Sequence, residues 1–340
     1  MTLPRGLKPM LAVAGPPFDS ERHRFEVKWD GIRALAYLDR GAFWLESRSL
    51  APLLPRFPEL ETAKESVRAR AAVLDGEIIV PGPGGEPDFD RARRRIALSD
   101  PRAIAGASRR EPAVYIAFDA LHLDGEDLFD TPLRARLERL AAAVEPSERL
   151  LLARGVTGSG IAFFEAVKAR GLEGMVAKEL DSPYRPGARS RHWIKVRNVR
   201  EADCVVGGFV PKGRLGVKSL VLGLYDAAGH LRCVGHAGSG FTERENRLAR
   251  QALERMVTAK CPFAEPPQDA AGEAVWVEPR LVCTVEYLAL TGTGRLRHPA
   301  FRGFRSDKEP EACRLEHELA RDPGWPRPRT GPGSAGARSS

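Results

Sequence analysis

A chain of 340 residues, 43% hydrophobic and 29% charged, has the composition of a globular protein with room for two cores, which excludes fibrous and disordered classes. Its net charge of +8 favours a polyanionic partner, nucleic acid before any other, although arginine excess can also mirror genome base composition. Five cysteines without a Cys-x-x-Cys pair argue against a zinc ribbon or a disulfide framework, and no run of about 18 apolar residues is present to span a membrane.

The apolar stretch over 10–14 ends at Gly15-Pro16-Pro17, too early for the core of a signal peptide. Over 24–47, two apolar-rich strand patterns flank Asp39-Arg40-Gly41 and predict a hairpin with Lys28 on its first arm. Leu60, Ala63 and Val67 predict a helix over 58–71. A strand over 73–80 is interrupted by Asp75-Gly76-Glu77, and a Gly/Pro loop over 81–87 leads into a basic helix at 91–96. The run 113–121 suits a buried strand, and 133–144 and 161–169 suit amphipathic helices. Short strands at 174–178 and 192–196 enclose a loop whose prolines bar regular structure.

After Arg200 the texture changes to short strands at 205–210, 219–225, 231–236 and 282–290, with one helix over 243–257, a pattern that suits a small Greek-key β-barrel such as an OB-fold. The expected division is 1–199, 200–320 and a disordered Pro/Gly/Ser/Arg tail over 321–340.

Only ten of the 53 basic residues are lysine, so a retained lysine is a candidate for chemistry that needs a removable proton, which guanidinium cannot supply. Lys28, in Glu26-Val27-Lys28-Trp29-Asp30-Gly31, is the candidate nucleophile. Chance alone yields Lys-x-Asp-Gly in roughly one chain in ten of this length, so the tetrapeptide needs company. Lys28, Arg33, Arg48, Glu77, Glu173, Lys178, Lys195 and Arg197 supply it: strands rarely carry so many charges unless they line a cleft. Two carboxylates among converging cations suit a nucleotide phosphate with a divalent metal.

The ordered set resembles the covalent nucleotidyltransferase superfamily and, within it, the ATP-dependent DNA ligases. Lys28-Trp29-Asp30-Gly31, Ser47-Arg48, Asp75-Gly76-Glu77, Ala117-Phe118-Asp119, Glu173-Gly174-Met175-Val176-Ala177-Lys178, Trp193-Ile194-Lys195-Val196-Arg197 and Arg305-Ser306-Asp307-Lys308 match its motifs in order. Lys8-Pro9-Met10-Leu11-Ala12, Ser182-Pro183-Tyr184-Arg185-Pro186-Gly187 and Arg297-His298-Pro299 look like bacterial ligase C and the ligase module of end-joining ligase D. Because the chain begins almost at the first motif, the stand-alone ligase C type is expected.

The resemblance implies an α+β fold: an ATP-grasp-like nucleotidyltransferase domain with antiparallel sheets and helices, then a β-barrel OB-fold domain. It implies ATP and Mg²⁺, with Mn²⁺ as an alternative, and a lysyl-AMP intermediate on Lys28 that seals 5′-phosphate/3′-hydroxyl breaks in repair or end joining. An unperturbed lysine, with a pKa of about 10.4, is neutral in on the order of one molecule in a thousand at pH 7, so Lys178, Lys195 and a metal are expected to favour the free amine. Lys178, Lys195 and Arg189 are assigned to phosphates, Glu173 to the metal, and Glu77 to a ribose hydroxyl or, second, to the metal. Phe118 would stack on adenine, Glu26 would accept from its exocyclic amine, and Arg33 and Arg48 would touch ribose or the DNA end. Arg305 and Lys308 would orient the pyrophosphate. Arg197 stands where the family more often has lysine, so Lys195 carries more weight than Arg197.

The partner expected is duplex DNA with nicks or ends, phosphate contacts coming from the basic cluster at 91–95, with end-bridging or polymerase repair proteins as further partners. A monomer in the bacterial cytoplasm, at the nucleoid and off the membrane, completes the picture. The rivals are an RNA ligase or capping-type nucleotidyltransferase, and a non-catalytic OB-fold protein that binds nucleic acid without forming any adenylate.

Overall fold

The computed structural model describes residues 3–270, 272–320, 322 and 325. The tail expected from 321 onward therefore lies, apart from Asp322 and Trp325, outside the described residues. Two compact units divide the chain, 1–198 and 199–340.

The first unit contains β1 (Leu11–Ala14), β2 (Ser20–Val27), β3 (Ile32–Asp39), β4 (Ala42–Ser47), β5 (Ala71–Ile79), β6 (Val114–Leu123), β7 (Glu126–Asp127), β8 (Leu150–Leu152), β9 (Gly155–Gly158), β10 (Gly174–Glu179) and β11 (Arg189–Arg197). Its helices are α1 (Phe89–Ala97), α2 (Pro101–Arg110), α3 (Leu133–Ala143) and α4 (Gly160–Ala169). One sheet runs β1-β11-β10-β2-β9 and the other β4-β3-β5-β6-β7, with β8 added beside β6. All pairings are antiparallel except β1 with β11 and β6 with β8.

Alternation along the strands sorts side chains between layers. In β2, β10 and β11, Phe25, Met175, Ala177 and Val196 pack under Phe164 of α4, so Glu26, Val176, Lys178, Trp193 and Lys195 point to the opposite face. In the second sheet, Ala34, Ala36, Leu74 and Ala117 pack with Leu140 of α3, and Leu35, Tyr37, Val73 and Phe118 form a separate core with Trp193 and Tyr184. The layers are α4, sheet, sheet, α3, and the cleft opens between the two sheets.

Three expectations change, the first being that β5 runs unbroken from Ala71 to Ile79 through Asp75-Gly76-Glu77 where an interruption was expected. The hairpin predicted over 24–47 is real only as β3 and β4, paired around Arg40-Gly41; β2 belongs to the other sheet, and Lys28 lies on the connector between sheets rather than on a hairpin arm. Gly31 makes the crossing possible, since a Cβ there would overlap Ile78 O. The helix predicted over 58–71 is a 3₁₀ segment, Pro58–Ser66, because Leu60, Ala63 and Ser66 are buried at a spacing of three, which eclipses in a 3₁₀ helix.

The second unit has β12 (Arg200–Lys212), β13 (Gly216–Tyr225), β14 (Leu231–Ala237), β15 (Val275–Tyr287) and β16 (Ala300–Arg305), with α5 (Glu243–Glu254) and α6 (Leu315–Glu318). The sheet order β14-β13-β12-β15-β16, with α5 between β14 and β15, is that of an OB-fold. The closed barrel expected from the sequence is not a continuous ladder: among the described residues beyond β14, a parallel bridge from Ser239 to Ala300 joins the two edges. Gly240, at φ +98, brings backbone against backbone there, with no room for a Cβ beside Phe301 O. Thr242 and Glu245 start α5 with a reciprocal capping box.

Candidate active site

Glu26, Lys28, Arg33, Arg48, Glu77, Phe118, Lys178, Arg189, Lys195 and Arg197 line one cleft of about 260 Å³ in the first unit. Glu173 joins them through its carboxylate, which accepts a hydrogen bond from Lys28 Nζ. Arg305 and Lys308 belong to the second unit.

Lys28 follows β2, and its backbone N–H donates to Gly174 O at 2.9 Å, which fixes it beside the start of β10. Gly174 must be glycine: at φ +145, a Cβ would run into Val196 O. The charge nearest the candidate nucleophile is the Glu173 carboxylate, and the Lys195 amine is also near enough to interact with it electrostatically. The pKa of Lys195 and that of Lys178 are both lowered. Burial is the main cause in both, helped at Lys195 by Arg197, Arg189 and Lys28 and opposed at Lys178 by Glu26 and Asp119.

Lys178 is almost fully buried, with Nζ 2.7 Å from Glu26 Oε2 and 4.1 Å from the Phe118 ring centroid. Arg24 Nε donates to the other Glu26 oxygen at 2.9 Å, so an adenine amine would be a third donor to this carboxylate. Arg33 is held by Asp75 through both oxygens, at 2.6 and 2.7 Å, with its guanidinium 4.5 Å from the Phe118 ring. Burial opposes that charge, but Asp75 more than offsets it and raises the Arg33 pKa. A base stacked on Phe118 thus shares the ring with two cations, and Arg33 contributes charge to the cleft wall from a fixed position.

Asp75 is itself positioned by a residue that the motifs only hinted at. Tyr184 Oη donates to Asp75 Oδ2 at 2.6 Å and accepts from the Met10 N–H at 2.8 Å, tying the Ser182-to-Gly187 loop and the chain before β1 to the Arg33 anchor. Trp29 and Trp193, also in the cleft, each carry a buried Nε1–H without an acceptor among the described residues, the state expected of walls that meet a polar ligand.

Burial pushes the Glu77 carboxyl up to about 8, against the pull of Arg33 and Lys28 and with help from Glu173. A protonated Glu77 suits a sugar hydroxyl. The folded protein then holds a proton that the unfolded chain releases near 4.5, so stability should fall as pH rises from 4.5 to 8. Glu77→Gln should flatten that fall and exceed the parent by a few kcal/mol above pH 8, with no gain below pH 4.5; urea unfolding across this range reads it.

No group of three or more metal-ligating side chains occurs among the described residues. Glu173 with Glu77 is nonetheless a donor set that fits Mg²⁺, which is commonly held by one or two carboxylates together with substrate phosphates.

In the second unit, Arg305 is paired with Asp307 at 2.7 Å and Asp203 at 3.1 Å, and Lys308 with Asp203 at 2.9 Å and Glu318 at 2.5 Å. Burial of Asp203 is outweighed by hydrogen bonds from Thr284 and Lys308, and its pKa is lowered.

Residues 9–197 match the ATP dependent DNA ligase domain, and 213–308 match the ATP dependent DNA ligase C terminal region. The multifunctional non-homologous end joining protein LigD of Mycolicibacterium smegmatis is 33% identical over 314 residues, 91% of this chain but 39% of that protein. DNA ligase C1 of the same organism is 34% identical over 327 residues, covering 91% of this chain and 93% of the relative. A solved structure of mycobacterial DNA ligase D complexed with ATP and MES aligns with a TM-score of 0.53 at 34% identity, over 90% of this chain and 97% of that one.

Proposed function

The chain belongs to the ATP-dependent DNA ligases, and on that premise we propose that it seals 5′-phosphate/3′-hydroxyl breaks in duplex DNA, in end joining or other repair, through AMP carried on Lys28. The observation that carries this reading is the convergence, between two sheets, of one lysine on the connector with two cleft lysines, Lys178 and Lys195, that a phosphate can meet.

Lys28 Nζ, once parted from Glu173 and deprotonated, attacks the α-phosphorus of ATP; an N–P bond forms and pyrophosphate leaves with the electrons of the broken P–O bond. Lys195, Lys178 and Arg189 steady the phosphoryl oxygens, and the fixed charge of Arg33 adds to the same field. Arg197 keeps a cation at the cleft rim, and Arg48, which also lines the cleft, would touch ribose or the DNA end. Mg²⁺, held by the Glu173 carboxylate, would supply charge neutralisation at the phosphates, with Glu77 as a second ligand only in its ionised form and in place of its ribose contact. Glu77 in its protonated form would donate to a ribose hydroxyl, Phe118 would lie against adenine, and Glu26 would select its amine. Transfer of AMP to a 5′-phosphate and its displacement by a 3′-hydroxyl regenerate the lysine. Arg305 and Lys308 act on the pyrophosphate after leaving Asp203, Asp307 and Glu318. End-bridging or polymerase proteins are the partners we expect at such ends, in the cytoplasm at the nucleoid.

Incubation with ATP and Mg²⁺ should add one AMP by intact mass, GTP should add far less, and the adduct should seal a nicked duplex without further nucleotide. A folded protein that gains no mass, or an adduct that never reaches DNA, overturns the assignment.

A further inference from the structure

The basic segment at 91–95 divides into buried and free arginines. Arg95 is buried: its guanidinium donates to Glu59 Oε1 at 2.8 Å, Arg56 O at 3.1 Å and Glu111 O at 2.7 Å, so it clamps α1 to the 3₁₀ segment and to the end of α2. Arg91 is engaged by Asp88 and Glu111. What remains exposed is Arg93 and Arg94 on α1, with Arg102, Arg109 and Arg110 on α2, none ion-paired to a carboxylate among the described residues.

The carboxylates that might have neutralised them are spent elsewhere. Asp88 caps α1, Asp100 caps α2, and Glu111 accepts from Arg91, which leaves Asp90 as the remaining acid on the pair. Helix dipoles account for Arg94, Arg109 and Arg110 in last turns. They do not account for Arg93, or for Arg102, which stands in the first turn of α2 where a cation is disfavoured.

Position gives the surface a use. Both helices fill the connection between the end of β5 and the start of β6, where Ile79 pairs with Val114 and Ile32 with Ile78. Gly31 lies against Ile78 O, so the connector bearing Lys28 enters at the same end of the sheet as the helix pair.

We propose that the α1–α2 pair is a rigid, sequence-independent contact surface for the phosphate backbone of duplex DNA beside the Lys28 end of the cleft. This rests on the ligase reading above. Guanidinium groups at fixed positions bind phosphates without reading bases and release counterions as they do so.

The test replaces Arg93, Arg94, Arg102, Arg109 and Arg110 together by glutamine in the full chain. Self-adenylation, which needs no DNA, should be unchanged, and the KM for nicked duplex in sealing should rise. The slope of log Kd against log salt should fall by about 0.9 for each phosphate that is no longer neutralised, roughly 2 to 4 in all, with nicked and intact duplex of equal length affected alike. An unchanged slope in an adenylating variant overturns the surface while leaving the ligase reading intact; absence of adenylation in the parent overturns the reading instead. Arg93→Gln and Arg102→Gln singly, each lowering the slope by about 0.9, provide the same decision should the fivefold variant fail to fold.

Discussion

Lys28→Ala should abolish the covalent adenylate, whereas Lys195→Ala should slow its formation without removing it. The contrast matters because both amines line the cleft, and burial and neighbouring cations lower the pKa of Lys195. Lowered basicity alone does not select the nucleophile, since Lys178 and Lys195 both have it. What favours Lys28 is its mounting: its backbone is fixed to Gly174 and its amine is delivered by the short connector that Gly31 allows against Ile78, beside the carboxylate of Glu173. Lys195 is a β11 strand residue packed among Arg189 and Arg197, suited to hold phosphate oxygens in place. Peptide mapping after incubation with ATP decides: AMP on the Lys28 peptide, retained in Lys195→Ala at reduced rate, is expected, and AMP on Lys195 would exchange the two roles. Lys178→Ala should lower the rate by a different route, because Glu26 would be deprived of a buried counter-charge.

Much of this cleft is legible in the chain because period-two alternation does the sorting. Glu26 on β2, Val176 and Lys178 on β10, and Trp193, Lys195 and Arg197 on β11 share one face at even spacings, with Lys28 just past β2 and Arg33 on β3, so a reading of charged positions finds most of one lining. The crossing of β2 and β3 into different sheets is not legible, since Lys28 to Gly31 looks like any interruption of a hairpin. The helix α2 escapes notice because Gly106 dilutes its pattern, and β1 because four residues carry little periodicity. Arg95, expected to reach DNA phosphates as part of the basic cluster at 91–95, is buried, and its acceptor Glu59 lies 36 residues away. Tyr184 and Asp75 are 109 residues apart, so nothing local announces that a tyrosine in a proline-rich loop holds the anchor of Arg33.

Arg136→Met should cost about 3–5 kcal/mol of unfolding free energy. Arg136 and Asp119 are both fully buried and bidentate, Nε to Oδ1 at 2.7 Å and Nη2 to Oδ2 at 2.8 Å, and Arg136 Nη1 also donates to Thr131 O at 2.6 Å and Ser182 O at 2.9 Å. Burial raises the Asp119 pKa even with Arg136 opposing it, so deleting the guanidinium leaves a carboxyl that can stay buried only by taking up a proton. Asp119→Leu alone should cost a similar amount by stranding the cation. The double variant Asp119→Leu, Arg136→Met should recover much of the loss, because no charge is then left unpaired. Chemical denaturation of the four proteins closes the cycle, and a double variant as unstable as the sum of the singles would refute the coupling. Activity should follow stability only in part. Asp119 succeeds Phe118 on β6, and Ser182 begins the loop that carries Tyr184, so the pair fastens α3 to two walls of the cleft at once. A well-folded double variant should therefore still adenylate, with KM for ATP raised more than kcat is lowered.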